Sequence, residues 1–150
     1  GDSLPASAAP HSFERVAAAV AAVTVAVEVV DDRAAQYQGL DMASLVADNS
    51  WNAGVILGAW QTHWPELPDL AGLGSRDGEV VDQGHGRDVL GHPFKALTWL
   101  ANHLAASGEG LRAGDVIATG SIVPTRFPTG PERYEYSIVG LGALSFKVID

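Results

Sequence analysis

Cysteine is absent from this 150-residue chain. That excludes a disulfide scaffold, a thiol nucleophile, and thiolate-held zinc or iron–sulfur centres. It fits a reducing compartment, and a cytoplasmic location is expected. Positive charge is scarce: 9 Lys and Arg stand against 18 Asp and Glu, a net charge of −9, and the only lysines are Lys95 and Lys147. Affinity for nucleic acid or an anionic membrane rests on neutralising phosphates with Lys and Arg, so neither partner is expected. The longest apolar run, Val16 to Val30, is rich in alanine and interrupted by Thr24 and Glu28, and it falls short of the ~20 residues a bilayer requires. The N-terminus has no basic region, so no signal peptide is expected. The first residue is Gly1 rather than Met, which implies a processed, trimmed or engineered start.

What is present is core-forming. The chain is 47% hydrophobic and 18% charged, enough to bury the interior of one ordinary domain. Residues 1–11, small, polar and Pro-containing, read as a flexible lead-in, and 12–150 as a single domain. Ser12 is placed to cap a helix from Phe13 to about Ala22. Thr24 to Val30 is β-branched and reads as a strand, with Thr24, Ala26, Glu28 and Val30 sharing one face. Asp41 caps a short helix over Met42–Val46, and Ala53–Gly58 is a strand bounded by glycines. Arg76-Asp77-Gly78 signals a hairpin. His92-Pro93 opens a helix that runs to Ala106 and stops at Gly108, with Phe94, Leu97, Ala101 and Leu104 as its apolar stripe. Asp115–Ala118 reads as a strand, residues 124–131 as a loop, and Tyr134–Val139 with Ala143–Ile149 as a closing hairpin. The pattern is α+β, mostly strand with a few short helices.

Val27-Glu28-Val29-Val30-Asp31-Asp32-Arg33 resembles the A-[IL]-E-[IV]-[IV]-D-x-R segment of the 2-oxopent-4-enoate hydratase and 4-oxalocrotonate decarboxylase family. Val46-Ala47-Asp48-Asn49-Ser50 is similar to its V-A-D-N loop. Val89-Leu90-Gly91-His92-Pro93, with Ala96-Leu97-Thr98-Trp99-Leu100-Ala101-Asn102, is similar to its V-L-G-x-P…A-L-x-W-L-A-N helix. Leu111 to Ser121 is similar to its L-x-A-G-D-x-I-x-T-G-S stretch. These segments occur in the family's order, from about residue 23 to 145. The resemblance implies the mixed-β fumarylacetoacetate hydrolase-like fold, a homo-oligomer or a complex with a related chain, and lyase chemistry on a small 2-oxo acid. The reaction would hydrate 2-hydroxypenta-2,4-dienoate or decarboxylate a 2-oxo dioate through an enolate stabilised by Mg²⁺ or Mn²⁺. It further implies that Glu28 is one of three metal-binding carboxylates. The family's other two come from an upstream E-x-E segment, and this chain contains no Glu-x-Glu. The expectation is that the chain corresponds to the C-terminal part of a family member.

Each candidate has a competing reading. Glu28 is either the metal ligand or a carboxylate at a strand surface; if buried it needs a partner. Asp48 and Asn49 either position substrate and its water or simply bend the chain. Thr119 and Ser121 either bind a substrate carboxylate or satisfy their own backbone. His85 is a candidate general base, and the histidine spacings match no metal motif. The Trp residues read as packing residues. If no metal binds, the fold could serve a metal-free isomerisation or cyclisation, with Glu28, Asp48 or His85 as acid or base. It could also serve as a non-catalytic partner subunit of a longer relative.

Overall fold

The computed structural model describes residues 1–149. Ser12 caps α1 (Phe13–Ala19) by accepting a hydrogen bond from Arg15 N–H at 3.2 Å. The chain then enters β1 (Ala26–Val30), α2 (Met42–Ala47), which Asp41 caps at Ser44 N–H, and β2 (Asn52–Leu57). Hairpin β3 (Ala71–Arg76) and β4 (Glu79–His85) leads to α3 (Pro93–Ala106), and hairpin β5 (Glu132–Ile138) and β6 (Gly142–Val148) closes the chain. Antiparallel sheet order is β4-β3-β5-β6, with β1-β2 forming a separate two-stranded ribbon.

The core lies between the helices and the base of the sheet. Val16 and Ala19 of α1 meet Phe94, Leu97 and Ala101 of α3, and Leu67, Leu70, Leu141 and Leu144 close the cluster. The ribbon joins this body at its base. Gly58 N–H donates to Val25 O at 2.9 Å, and a Cβ on Gly58 would lie 3.7 Å from the carbonyl oxygen of Ala143.

Four expectations are corrected. Residues 1–11 are packed: Leu4 and His11 are buried, Leu4 bridges Leu111, and Asn102 clips His11 by accepting from its N–H at 2.8 Å and donating to its carbonyl at 3.0 Å. Asp115–Ala118 is not a strand. The Asp115 carboxylate accepts from Arg112 N–H at 2.8 Å, and Val116 stays exposed. β-branched residues favour a strand only where a neighbouring edge receives them. Helix α1 also ends three residues early, at Ala19, and Trp60 and Trp99 are exposed rather than packed.

His92 caps α3, its Nδ1 accepting from Phe94 N–H at 3.0 Å, and its ring meets Phe13 edge-on at 4.9 Å. Burial holds its pKa below the ordinary value, with Lys95 acting the same way and Glu66 opposing. A histidine depressed in the fold binds fewer protons there than in the unfolded chain. Its contribution is therefore full above the unfolded pKa, near 6.5, and is lost as pH falls from there through the lower folded pKa. Urea unfolding from pH 7.5 to 5 should show stability falling, with a shallower fall in His92→Asn, which keeps a capping side chain. Equal slopes would clear His92 of the effect.

Candidate functional site

Sequence-predicted residues gather at two places. The first is the tip of the ribbon. Glu28 stands opposite Val55 in the ladder and faces solvent, and its carboxylate accepts a hydrogen bond from the Asn52 side-chain amide at 2.7 Å. The partner expected for this carboxylate is thus a neutral amide that leaves lone pairs free. Asp48 ends α2 and forms an ion pair with Arg33. Asn49, Ser50 and Trp51 follow with φ of 52°, 50° and 63°. Asparagine tolerates that left-handed region, but serine and tryptophan adopt it only when held there. Here the Trp51 carbonyl accepts from Asp31 N–H at 2.9 Å, and its ring lies edge-on to Tyr37 at 5.4 Å. The Tyr37 hydroxyl donates to Asp32 at 2.5 Å and, with Ala34 N–H, holds that carboxyl below its usual range.

The second place is the end of β4. His85 N–H donates to Asp88 Oδ2 at 2.7 Å, and its ring accepts in return from the Asp88 backbone in a reciprocal cap. The 119–122 segment lies against this strand end, since a Cβ on Gly84 would come within 1.9 Å of the Ile122 carbonyl oxygen, and one on Gly120 within 3.5 Å of Val89. The Ser121 hydroxyl donates to its neighbour's carbonyl at Val123, which is the local backbone role. Thr119 is half-buried. The segment is fastened further on by Arg126, which grips the buried Asp82 of β4.

Among the described residues no hydrogen bond or ion pair joins the Glu28 group to the His85 group. Nor do three or more His, Asp or Glu side chains gather to hold a metal. Glu28 alone does not make a divalent-cation site, because Mg²⁺ sheds its waters reluctantly and needs several oxygen ligands fixed in place. The sequence reading missed Asn52 and Arg33 as the partners of Glu28 and Asp48, and missed Asp88 as the partner of His85. Only the His85–Asp88 spacing, three residues apart as in a capping box, carried a local signal.

A 2-keto-4-pentenoate hydratase of Burkholderia vietnamiensis is 34% identical over 141 residues, 92% of this chain and 53% of that protein. A 4-oxalocrotonate decarboxylase of Pseudomonas sp. (strain CF600) is 41% identical over 139 residues, 90% of this chain and 52% of that one. The solved 4-oxalocrotonate decarboxylase from Pseudomonas putida G7, complexed with magnesium and adipate, superposes with a TM-score of 0.81 at 35% identity, over 89% of this chain and 51% of its own. The chain thus spans about half the length of the curated relatives it matches. With residues 3–149 matching the family described as fumarylacetoacetate (FAA) hydrolase, C-terminal, this chain belongs to that family.

Proposed function

We propose that this chain supplies one part of a lyase that hydrates or decarboxylates a small 2-oxo acid, working in the cytoplasm as part of an oligomer or of a complex with a related chain. The observation that carries the reading is its likeness, over about nine-tenths of its length, to both hydratases and decarboxylases, with Glu28 of the shared segment solvent-facing and held by one amide. The decarboxylase it superposes on is complexed with magnesium and a dicarboxylate, which supports a divalent-cation requirement. In this reading Glu28 is one ligand of Mg²⁺ or Mn²⁺, and the other ligands lie outside the described residues. Thr119 offers its hydroxyl to a substrate carboxylate, and Ser121 would join it only by turning its proton away from the Val123 carbonyl. Asp48 and Asn49 shape the loop beside Glu28, and His85, at the separate strand end where Thr119 and Ser121 lie, is the imidazole offered for proton transfer.

The test is loss of the 2-hydroxypenta-2,4-dienoate absorbance, with Mg²⁺ and with chelator. The 150-residue chain alone is expected to show no metal-dependent turnover, and to bind Mn²⁺ no more tightly than roughly millimolar, as one carboxylate allows. Joined to the half of the Pseudomonas decarboxylase that it does not match, it should turn the dienol over, and Glu28→Gln in that chimera should lower kcat by at least about 100-fold. Turnover that survives chelator would overturn the metal-dependent reading and favour the metal-free isomerase.

A further inference from the structure

The ladder between β1 and β2 changes register once. Ala26↔Leu57, Val27↔Ile56, Glu28↔Val55 and Val29↔Gly54 run without a break, and the next pair is Val30↔Asn52, which leaves Ala53 without a partner. Asp31 N–H donates to the Trp51 carbonyl at 2.9 Å, and so continues the shifted register. In the unbroken register Asn52 would stand opposite Asp31. Opposed residues share a face and successive residues alternate, so Asn52 would then lie on the face of Val27 and Val29, away from Glu28. The extra residue moves it opposite Val30, onto the face of Glu28. Re-aiming a side chain is what a bulge does. From there Asn52 is the diagonal neighbour of Glu28, within reach of a long side chain, and its Nδ2 donates to Glu28 Oε1 at 2.7 Å.

The turn that feeds Asn52 into β2 works to the same end. Asn49, Ser50 and Trp51 take left-handed φ in succession, a region that residues other than glycine visit singly. Trp51 N–H donates to the Asp48 carbonyl at 2.9 Å and Asn52 N–H to the Asn49 carbonyl, which closes the turn. Backbone strain of this kind persists where the surroundings hold it, and it gathers at functional sites. Here a strained turn and a bulge converge on one exposed polar contact, which adds little to stability by itself. We infer that Asn52 is a positioning residue for Glu28. It fixes the carboxylate through Oε1 and leaves Oε2 available to a cation. Among the described residues no Lys, Arg or His forms an ion pair with Glu28. A cationic partner would compete with a metal ion for the carboxylate, whereas an amide orients it without neutralising it. The purpose of the positioning rests on the proposed function. The bulge and the bond do not.

The test reads orientation and metal binding separately. In the isolated chain, three-bond NMR couplings about χ1 of Glu28 should report one staggered rotamer, and averaged values in Asn52→Ala. Deleting Ala53 restores the unbroken register and should release Glu28 in the same way, with cross-strand contacts between β1 and β2 retained. In the chimera with the unmatched half of the Pseudomonas decarboxylase, Mn²⁺ binding is followed by electron paramagnetic resonance without substrate. Asn52→Ala should weaken it by at least about 10-fold, the low end for a group that orients a metal ligand, and Asn52→Gln, which keeps the amide, by no more than about 3-fold. Averaged couplings already in the unsubstituted chain would overturn the inference. So would an Mn²⁺ affinity that Asn52→Ala leaves unchanged, or one that Asn52→Gln lowers as far as Asn52→Ala does. The coupling measurement needs neither metal nor turnover. A fixed Glu28 that Asn52→Ala releases, in a chimera that neither binds Mn²⁺ nor turns over the dienol, therefore supports the positioning and counts against the proposed reaction alone.

Discussion

Arg126→Ala is expected to destabilise the fold more than Asp82→Ala does, because it leaves a buried carboxylate without its counter-charge. Asp82 is 4% exposed at its side chain, and its described hydrogen bonds both come from one guanidinium, Nε to Oδ2 at 2.8 Å and a terminal nitrogen to Oδ1. Removing Arg126 leaves that carboxylate buried in β4 with no partner. Asp82→Ala is expected to cost less, by about 1–2 kcal/mol. The guanidinium it strands is 36% exposed at the side chain, reaches water, and keeps its 3.0 Å hydrogen bond to the Val81 carbonyl. Adding Asp82→Ala to Arg126→Ala should therefore recover part of the loss, which simple additivity forbids. Urea denaturation of the two single variants and the double variant closes this cycle. Equal single-variant costs that add in the double variant would show that the pair is not the buried clasp described here. The clasp also bears on the site, because it holds the loop after Ser121 against the strand that ends in His85.

The distinction between local and distant determinants explains what could be read in advance. The β3–β4 hairpin is written in Asp77-Gly78, whose φ of 50° and 89° are those of a turn that suits aspartate and glycine. Helix α3 is written in its own ends, with His92-Pro93 at the start and Gly108 past the stop. The packing of residues 1–11 was not legible. Leu4 is apolar, but its place depends on Leu111, and no local pattern announces a partner so far along the chain. The same holds for Asp115–Ala118, whose composition favours a strand that no neighbouring edge accepts. At the candidate site, period two put Glu28 on one face with Ala26, and both are exposed in the ribbon. The amide that touches it comes from β2 across the ladder, and a period-two reading of β1 alone does not contain that pairing.

Gly84→Ala is expected to cost at least about 3 kcal/mol, at the top of the range for overpacking, and to free the segment carrying Thr119 and Ser121. The added Cβ would stand 1.9 Å from the Ile122 carbonyl oxygen and 3.0 Å from its carbon, both backbone atoms. No side-chain rotation relieves such a contact, so either β4 shifts within its ladder to Gly72 or the 120–122 backbone lifts away. The first route opposes the register of the sheet and the second opposes only the loop, so the loop should move. Gly86 makes the same demand against the Leu67 carbonyl oxygen, also 1.9 Å from its would-be Cβ. The Gly-His-Gly sequence thus marks a strand end pressed by backbone on both sides of His85. Gly130→Ala is the matched control, with nothing within 4 Å of its Cβ and an expected change within about 0.5 kcal/mol. Hydrogen exchange of residues 119–131, read beside urea unfolding, separates the two routes. Faster exchange in this segment of Gly84→Ala, with β3 and β4 amides still protected, would show that the glycine exists to seat the loop. Unchanged exchange and stability would show that Ile122 does not press on β4, and would remove the contact that places Thr119 and Ser121 beside His85.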